Sequence, residues 1–186
     1  TQDFLEAFKC KLRSRSNFRN FRPKLRDWHG LWSVLRETFA QHRVVWREIK
    51  AGPTAAVVHQ ARLLPDRDEK TVVPDHKLML VPTRSAEEAH YVAGVLNSSI
   101  AQYIVRSFTL ATSQSLHILD KLPLKRFDRH SALMQEIAQN AIAAEQAGLA
   151  GDDEEVGNCV GRIDDVLAQL WGLVPRDLQQ IQEALR

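Results

Sequence analysis

The chain has 186 residues, 44% hydrophobic and 26% charged, with a net charge of +2. That balance fits one soluble globular domain, or a domain with a small helical appendage. No stretch approaches the roughly 18 uncharged apolar residues of a membrane helix, and none reads as a signal peptide. Cys10 and Cys159 stand too far apart in sequence for a disulfide framework, and no Cys-x-x-Cys pair offers a zinc site. The expected setting is therefore a reducing cytoplasm. The chain starts at Thr1, which reads as a piece of a longer polypeptide.

Charge is unevenly spread. Residues 1–50 carry 12 Lys/Arg against 5 Asp/Glu, residues 51–130 carry 10 against 8, and residues 131–186 carry 3 against 10. A basic front and an acidic tail predict that one end faces a polyanion and the other does not.

The first segment interleaves cations (Lys9, Lys11, Arg13, Arg15, Arg19, Arg22) with Phe18 and Phe21. The mixture suits phosphates with bases available for stacking, or a basic loop whose aromatics dock on the domain. Residues 43–49 predict a strand, from their β-branched and aromatic content. Ala51-Gly52-Pro53 breaks it. A second apolar run covers 54–59, a polar loop 64–70, and a third strand 76–81 up to Pro82. Ser85-Ala86-Glu87-Glu88 is a capping box. One long helix should follow, with Ala89, Val92, Ala93, Leu96, Ile100 and Tyr103 as its core stripe. A polar stretch 109–115 leads to a short strand at 116–119 and an extended, Pro-marked exit at 122–127.

From Ser131 the pattern turns helical. One helix is expected over about 131–149, and a second carries the stripe Val160, Ile163, Val166, Leu167, Leu170 and Trp171 up to a Gly172 C-cap. A last short helix should open at Pro175. The acidic run 152–155 suits a helix N-terminus or a solvated face. The fold class is α+β: a small mixed sheet around a long helix, followed by a helical C-terminal tail. The divisions are a basic lead-in at 1–39, an α+β core at 40–130 and a helical tail at 131–186.

Catalytic signatures are sparse. There is no Gly-x-Gly, no adjacent proline pair, no phosphate-cradling loop and no Gly-x-Ser-x-Gly. Asp27 with Glu48-Ile49-Lys50 outlines the skeleton of a metal-dependent nuclease, although Glu-x-Lys is a common triplet. Ser115 and His117 lie two apart with no acidic partner visible.

Three segments carry a resemblance. They are His42-Arg43-Val44-Val45-Trp46-Arg47-Glu48-Ile49; the stretch from Val81-Pro82-Thr83 through Val95-Leu96-Asn97-Ser98 to Leu122-Pro123-Leu124-Lys125-Arg126-Phe127-Asp128; and Arg162-Ile163-Asp164-Asp165 through Leu170-Trp171-Gly172-Leu173. From about residue 40 onward the chain resembles the C-terminal regions of N6-adenine DNA methyltransferases, including fused type IIG restriction–modification enzymes. There a Taq-like specificity domain follows the catalytic domain. Two positions depart from the pattern: Val174 stands where a Ser/Thr cap is usual, and Lys125 stands where a second Pro is common.

The resemblance implies a target-recognition domain, non-catalytic alone, that reads duplex DNA while a catalytic domain of the same polypeptide flips and methylates adenine. S-adenosylmethionine would be that domain's cofactor, and none is expected in this fragment. Candidate DNA contacts are Arg43 and Arg47 on one face of a strand, Ser113, Gln114 and Ser115 in the polar stretch, and Lys125, Arg126 and Arg129 along the exit. Trp46 and His117 read as buried or half-buried, and Asn97-Ser98 as structural. The rival is a docking or regulatory module of the same enzyme that does not touch DNA. Recognition requires Arg43, Arg47, Lys125 and Arg126 on one groove-sized face; dispersal favours docking.

Overall fold

The computed structural model describes residues 2–21, 28, 35–48, 54–58, 60–61, 70–75, 77–108 and 116–185. The chain forms two compact units, Thr1–Arg36 and Glu37–Arg186. The fold is α+β, with the helical C-terminal region that the residue pattern predicts.

In the first unit the described part of the basic lead-in is largely helical between Gln2 and Phe21. Helices α1 (Gln2–Glu6), α2 (Lys9–Ser14) and α3 (Ser16–Phe21) follow one another. Several of its cations have partners within the unit. Lys9 pairs with Glu6 at 2.9 Å and lies 5.2 Å from the centre of the Trp28 ring. Arg15 donates to the carbonyls of Leu12 and Trp28.

The second unit is built on strands β1 (His42–Arg47), β2 (Ala55–Val58) and β5 (Leu78–Thr83), which form a three-stranded sheet in the order β2-β1-β5. A two-residue ribbon, β3 (Gln60–Ala61) with β4 (Lys70–Thr71), forms a second sheet. Every described ladder is antiparallel, so the expected mixed sheet is not what forms. Between β1 and β2 the link over residues 48–54 is too short for the crossover that parallel pairing needs. Strand β5 runs past Pro82 to Thr83, two residues beyond the expected stop. Among the described residues β5 is an edge strand, where the missing proline N–H is tolerated.

Strand β1 is central and is buried on both faces from Arg43 to Trp46. Val44 and Trp46 join the main core beneath α4 (Ala86–Asn97). Helix α4 is buried at every position from Ala89 to Leu96, because the sheet covers one side and α6 (Ala132–Ala150) the other. Gly94 permits that approach. A Cβ there would lie 3.1 Å from Ile137 Cγ2 and 3.2 Å from Ala141 Cβ. The capping box forms with one partner changed. Ser85 Oγ accepts from Glu88 N–H, while the Glu88 carboxylate accepts from Arg84 N–H rather than from Ser85.

The long helix expected after Ser85 is two helices, α4 and α5 (Ser99–Phe108), broken at Ser98. Polar side chains make the break favourable. Asn97 pairs with both backbone groups of Ala55 in β2, accepting from its N–H at 2.8 Å and donating to its carbonyl at 2.9 Å. Ser98 turns to an extended conformation, donates to the Val95 carbonyl and accepts from Ala101 N–H, so it caps α5. Asp164 of α7 (Asp153–Trp171) accepts from Ser99 N–H at 2.7 Å. Apolar periodicity runs straight through this junction, which is why it reads as one helix. The expected strand at 116–119 is instead a 3-10 helix, Leu116–Lys121, with Ile118 buried and Leu119 packed on the core. Alternating burial alone does not separate the two in so short a run.

The tail follows the expected plan. Helix α6 ends at Gly151 and α7 at Gly172, both at positive φ, where glycine carries no Cβ penalty. Asp152 caps α7 by accepting from Glu155 N–H, and Asp153, Glu154 and Glu155 fill its first turn. Helix α8 (Pro175–Leu185) opens at Pro175. Val174 supplies no side-chain cap, but Asp177 reaches back to accept from Val174 N–H at 3.1 Å. Half of a capping box therefore survives. Among the described residues no helix is long and apolar enough to cross a membrane.

Candidate nucleic-acid interface

The antiparallel register places His42 beside Thr83, so one end of the sheet leads directly into the N-terminus of α4. The exit segment after the 3-10 helix crosses the same place. Its backbone is fixed from inside. The Tyr91 hydroxyl donates to the Lys125 carbonyl, and the Phe127 ring sits 5.5 Å from that of Tyr91. Burial pushes the Tyr91 hydroxyl up to about 12, so it keeps its proton. Asp128 then accepts from His130 N–H, closing a turn before α6.

With the apolar side of the exit anchored, Arg126 and Arg129 point outward. They meet Arg84 around a cleft of about 340 Å³, together with Glu87 and Gln135. Three arginines thus line a cleft that also includes the first turn of α4, the positive end of that helix. Glu87 is held below the usual carboxylate range, first by its backbone hydrogen bond and the Ser85 hydroxyl, then by the charges of Arg129 and His42. Two carboxylates line the cleft as well, Glu88 being engaged with Arg84 N–H. With three arginines against two glutamates among its lining residues, the cleft is net cationic.

The other expected contact residues go elsewhere. Arg43, read as projecting from a strand face toward DNA, is fully buried. Its Nη1 donates to the carbonyls of Thr38 (2.8 Å) and Val72 (2.6 Å), because β1 is central and its second face is covered too. Burial lowers its pKa from the ordinary arginine value. Arg47 is exposed, but it lies at the far end of β1 from His42, about 17 Å away at the rise of a strand. The Lys125 ammonium donates to the Leu170 carbonyl at 3.3 Å, in the last turn of α7, and complements that helix's negative end. Ser113, Gln114 and Ser115 lie outside the described residues.

Arg84 was missed by sequence reading. Its position directly before the capping box, on the short link from strand to helix, was the available signal. His117 is exposed and sits 3.2 Å from Asp120, not half-buried as expected. Of the nuclease skeleton, Asp27 and Lys50 lie outside the described residues, and Glu48 follows β1. Among the described residues no group of three His, Cys, Asp or Glu could hold a metal ion.

A second cavity, about 320 Å³ and mainly apolar, opens between β2, α4, α6 and α7. At its rim His90 Nδ1 donates to the Ala86 carbonyl (2.7 Å), and Nε2 lies 2.8 Å from the Glu145 carboxylate. This pair ties α4 to α6. A scan of protein-family models finds no match to the chain, and a search of curated proteins finds none either.

Proposed function

We propose that this chain is a DNA target-recognition module of an N6-adenine methyltransferase of the restriction–modification type, with the catalytic domain and its S-adenosylmethionine outside the sequence. A cytoplasmic setting goes with that role. The resemblance over residues 42–49, 81–128 and 162–173 motivates the reading. The observation that carries it is the cleft that Arg84, Arg126 and Arg129 line together with the first turn of α4. Guanidinium forks and a helix N-terminus suit phosphate oxygens, and this pairing would fix the protein's register on a duplex. Arg47, at the opposite end of the sheet, would reach a separate phosphate or base edge.

Titration of duplex DNA with the full chain at a series of salt concentrations tests it. The double variant Arg126→Gln/Arg129→Gln should bind more weakly on all sequences, and its salt slope should fall by about 2, near 1 per lost cation. An unchanged slope and affinity would sink the reading.

One observation favours the rival docking role. Arg43, Arg47, Lys125 and Arg126 do not share one face: the first is enclosed and the third caps a helix. A docking module predicts DNA affinity indifferent to the cleft arginines.

A further inference from the structure

Among the described residues, Arg43 is buried without an anion. A guanidinium carries five N–H donors. The two on Nη1 reach the carbonyls of Thr38 and Val72. The donors on Nε and Nη2 are buried and meet no acceptor among the described residues. A buried cation is strongly unfavourable unless it is paired and its donors are met, and two neutral carbonyls on one nitrogen do neither.

The unmet donors are not scattered. Nε–H and the adjacent Nη2–H form the side-on edge of the fork, the edge that accepts two oxygens of one carboxylate or phosphate in parallel bonds. Among the described residues, Arg43 bonds two segments over this face of the sheet, the 3-10 helix Arg36–Phe39 at Thr38 and the segment after β4 at Val72. Their side chains contribute little burial of their own: Phe39 is 53% exposed and Val73 49%. Both segments therefore lie at the molecular surface beside the buried edge.

We propose that the Nε–Nη2 edge of Arg43 is an oxyanion site on the second face of the sheet, taking a carboxylate or a phosphate side-on. The bound anion would neutralise the buried charge and lock the two covering segments through the same side chain. The site is independent of the α4 cleft and of the DNA reading.

Thermal unfolding of the full chain at pH 7 and constant ionic strength tests it, with sodium chloride exchanged for inorganic phosphate in one arm and acetate in the other. For a site of about 1 mM Kd, roughly 100 mM anion should raise Tm by about 5 °C or more. The rise should vanish in Arg43→Met, which keeps volume but no charge, and in Arg43→Lys, which keeps charge but no fork. It should persist in Arg126→Gln/Arg129→Gln, which separates this site from the cleft. A larger rise in acetate assigns a carboxylate ligand, and a larger rise in phosphate assigns phosphate. NMR gives a second readout that does not depend on variant folding: one arginine Nε–H resonance of the wild-type chain should move saturably with the anion. An equal Tm rise in the Arg43 variants, no rise in either arm, or a protected Nε–H resonance that neither anion moves would overturn the proposal.

Discussion

Two buried polar nodes hold the second unit together, and they are built on opposite terms. At the helix break, Asn97, Ser98 and Asp164 bring acceptors and donors to backbone groups left open by the end of α4, the start of α5 and strand β2. On the other face of the sheet, Arg43 brings five donors to two carbonyls. The first node satisfies its own hydrogen-bonding groups. The second leaves donors over, and a surplus of that kind in a native interior calls for an explanation. The difference teaches that burial of polar residues has two causes here: one completes secondary structure, the other keeps a charged edge ready for an anion.

The largest effect should come from breaking the complete node. Asn97→Ala removes both bonds to Ala55 and leaves that strand backbone unpaired beside the core. We expect a loss of about 2–3 kcal/mol in urea denaturation at pH 7, without change in the denaturant slope. A loss below about 0.5 kcal/mol would show that water or another group replaces the amide.

Asp164 sharpens the contrast by pH. Burial pushes its carboxyl up from the usual range, against the hydrogen bonds from Ser99 and Gln182 that favour the charged form. A folded-state pKa raised above the unfolded value means a contribution that is full at acid pH and is lost as pH rises through the folded pKa. Asp164→Asn keeps an acceptor for Ser99 N–H and removes the buried charge. Its Tm should exceed wild type at pH 7, and the gap should close as pH falls toward about 4, the ordinary aspartate value. A gap that is constant with pH would refute the titration.

The smallest change should come at the start of α8, where Asp177 supplies only half a cap. Val174→Thr restores a hydroxyl acceptor for the open N–H groups of the first turn and should add about 0.5–1 kcal/mol. Equilibrium unfolding monitored by circular dichroism would detect it.

Local chemistry was legible in the residue order. The capping serine at 85, the terminators Gly151 and Gly172, the acidic start of α7 and the proline start of α8 each act within a few residues, so their meaning survives without knowledge of the fold. The apolar stripes located the core faces of α4 and α7 for the same reason. The candidate cleft was only partly legible: Arg126 and Arg129 were named, while Arg84 joins them because the sheet register carries the end of β5 beside the exit segment.

What sequence by itself determined is the α+β class and the caps, terminators and core stripes of the C-terminal helices, since these are short-range properties of the chain. What only the tertiary structure decided is the fate of the charges and of the long helix. Arg43 and Arg47 occupy equivalent pleats of one strand, yet one is sealed and one exposed, because burial depends on which segments cover each end of the sheet. Likewise Ser98 breaks a continuous apolar stripe only because Ala55 and Asp164, distant in sequence, arrive to meet the groups that the break sets free.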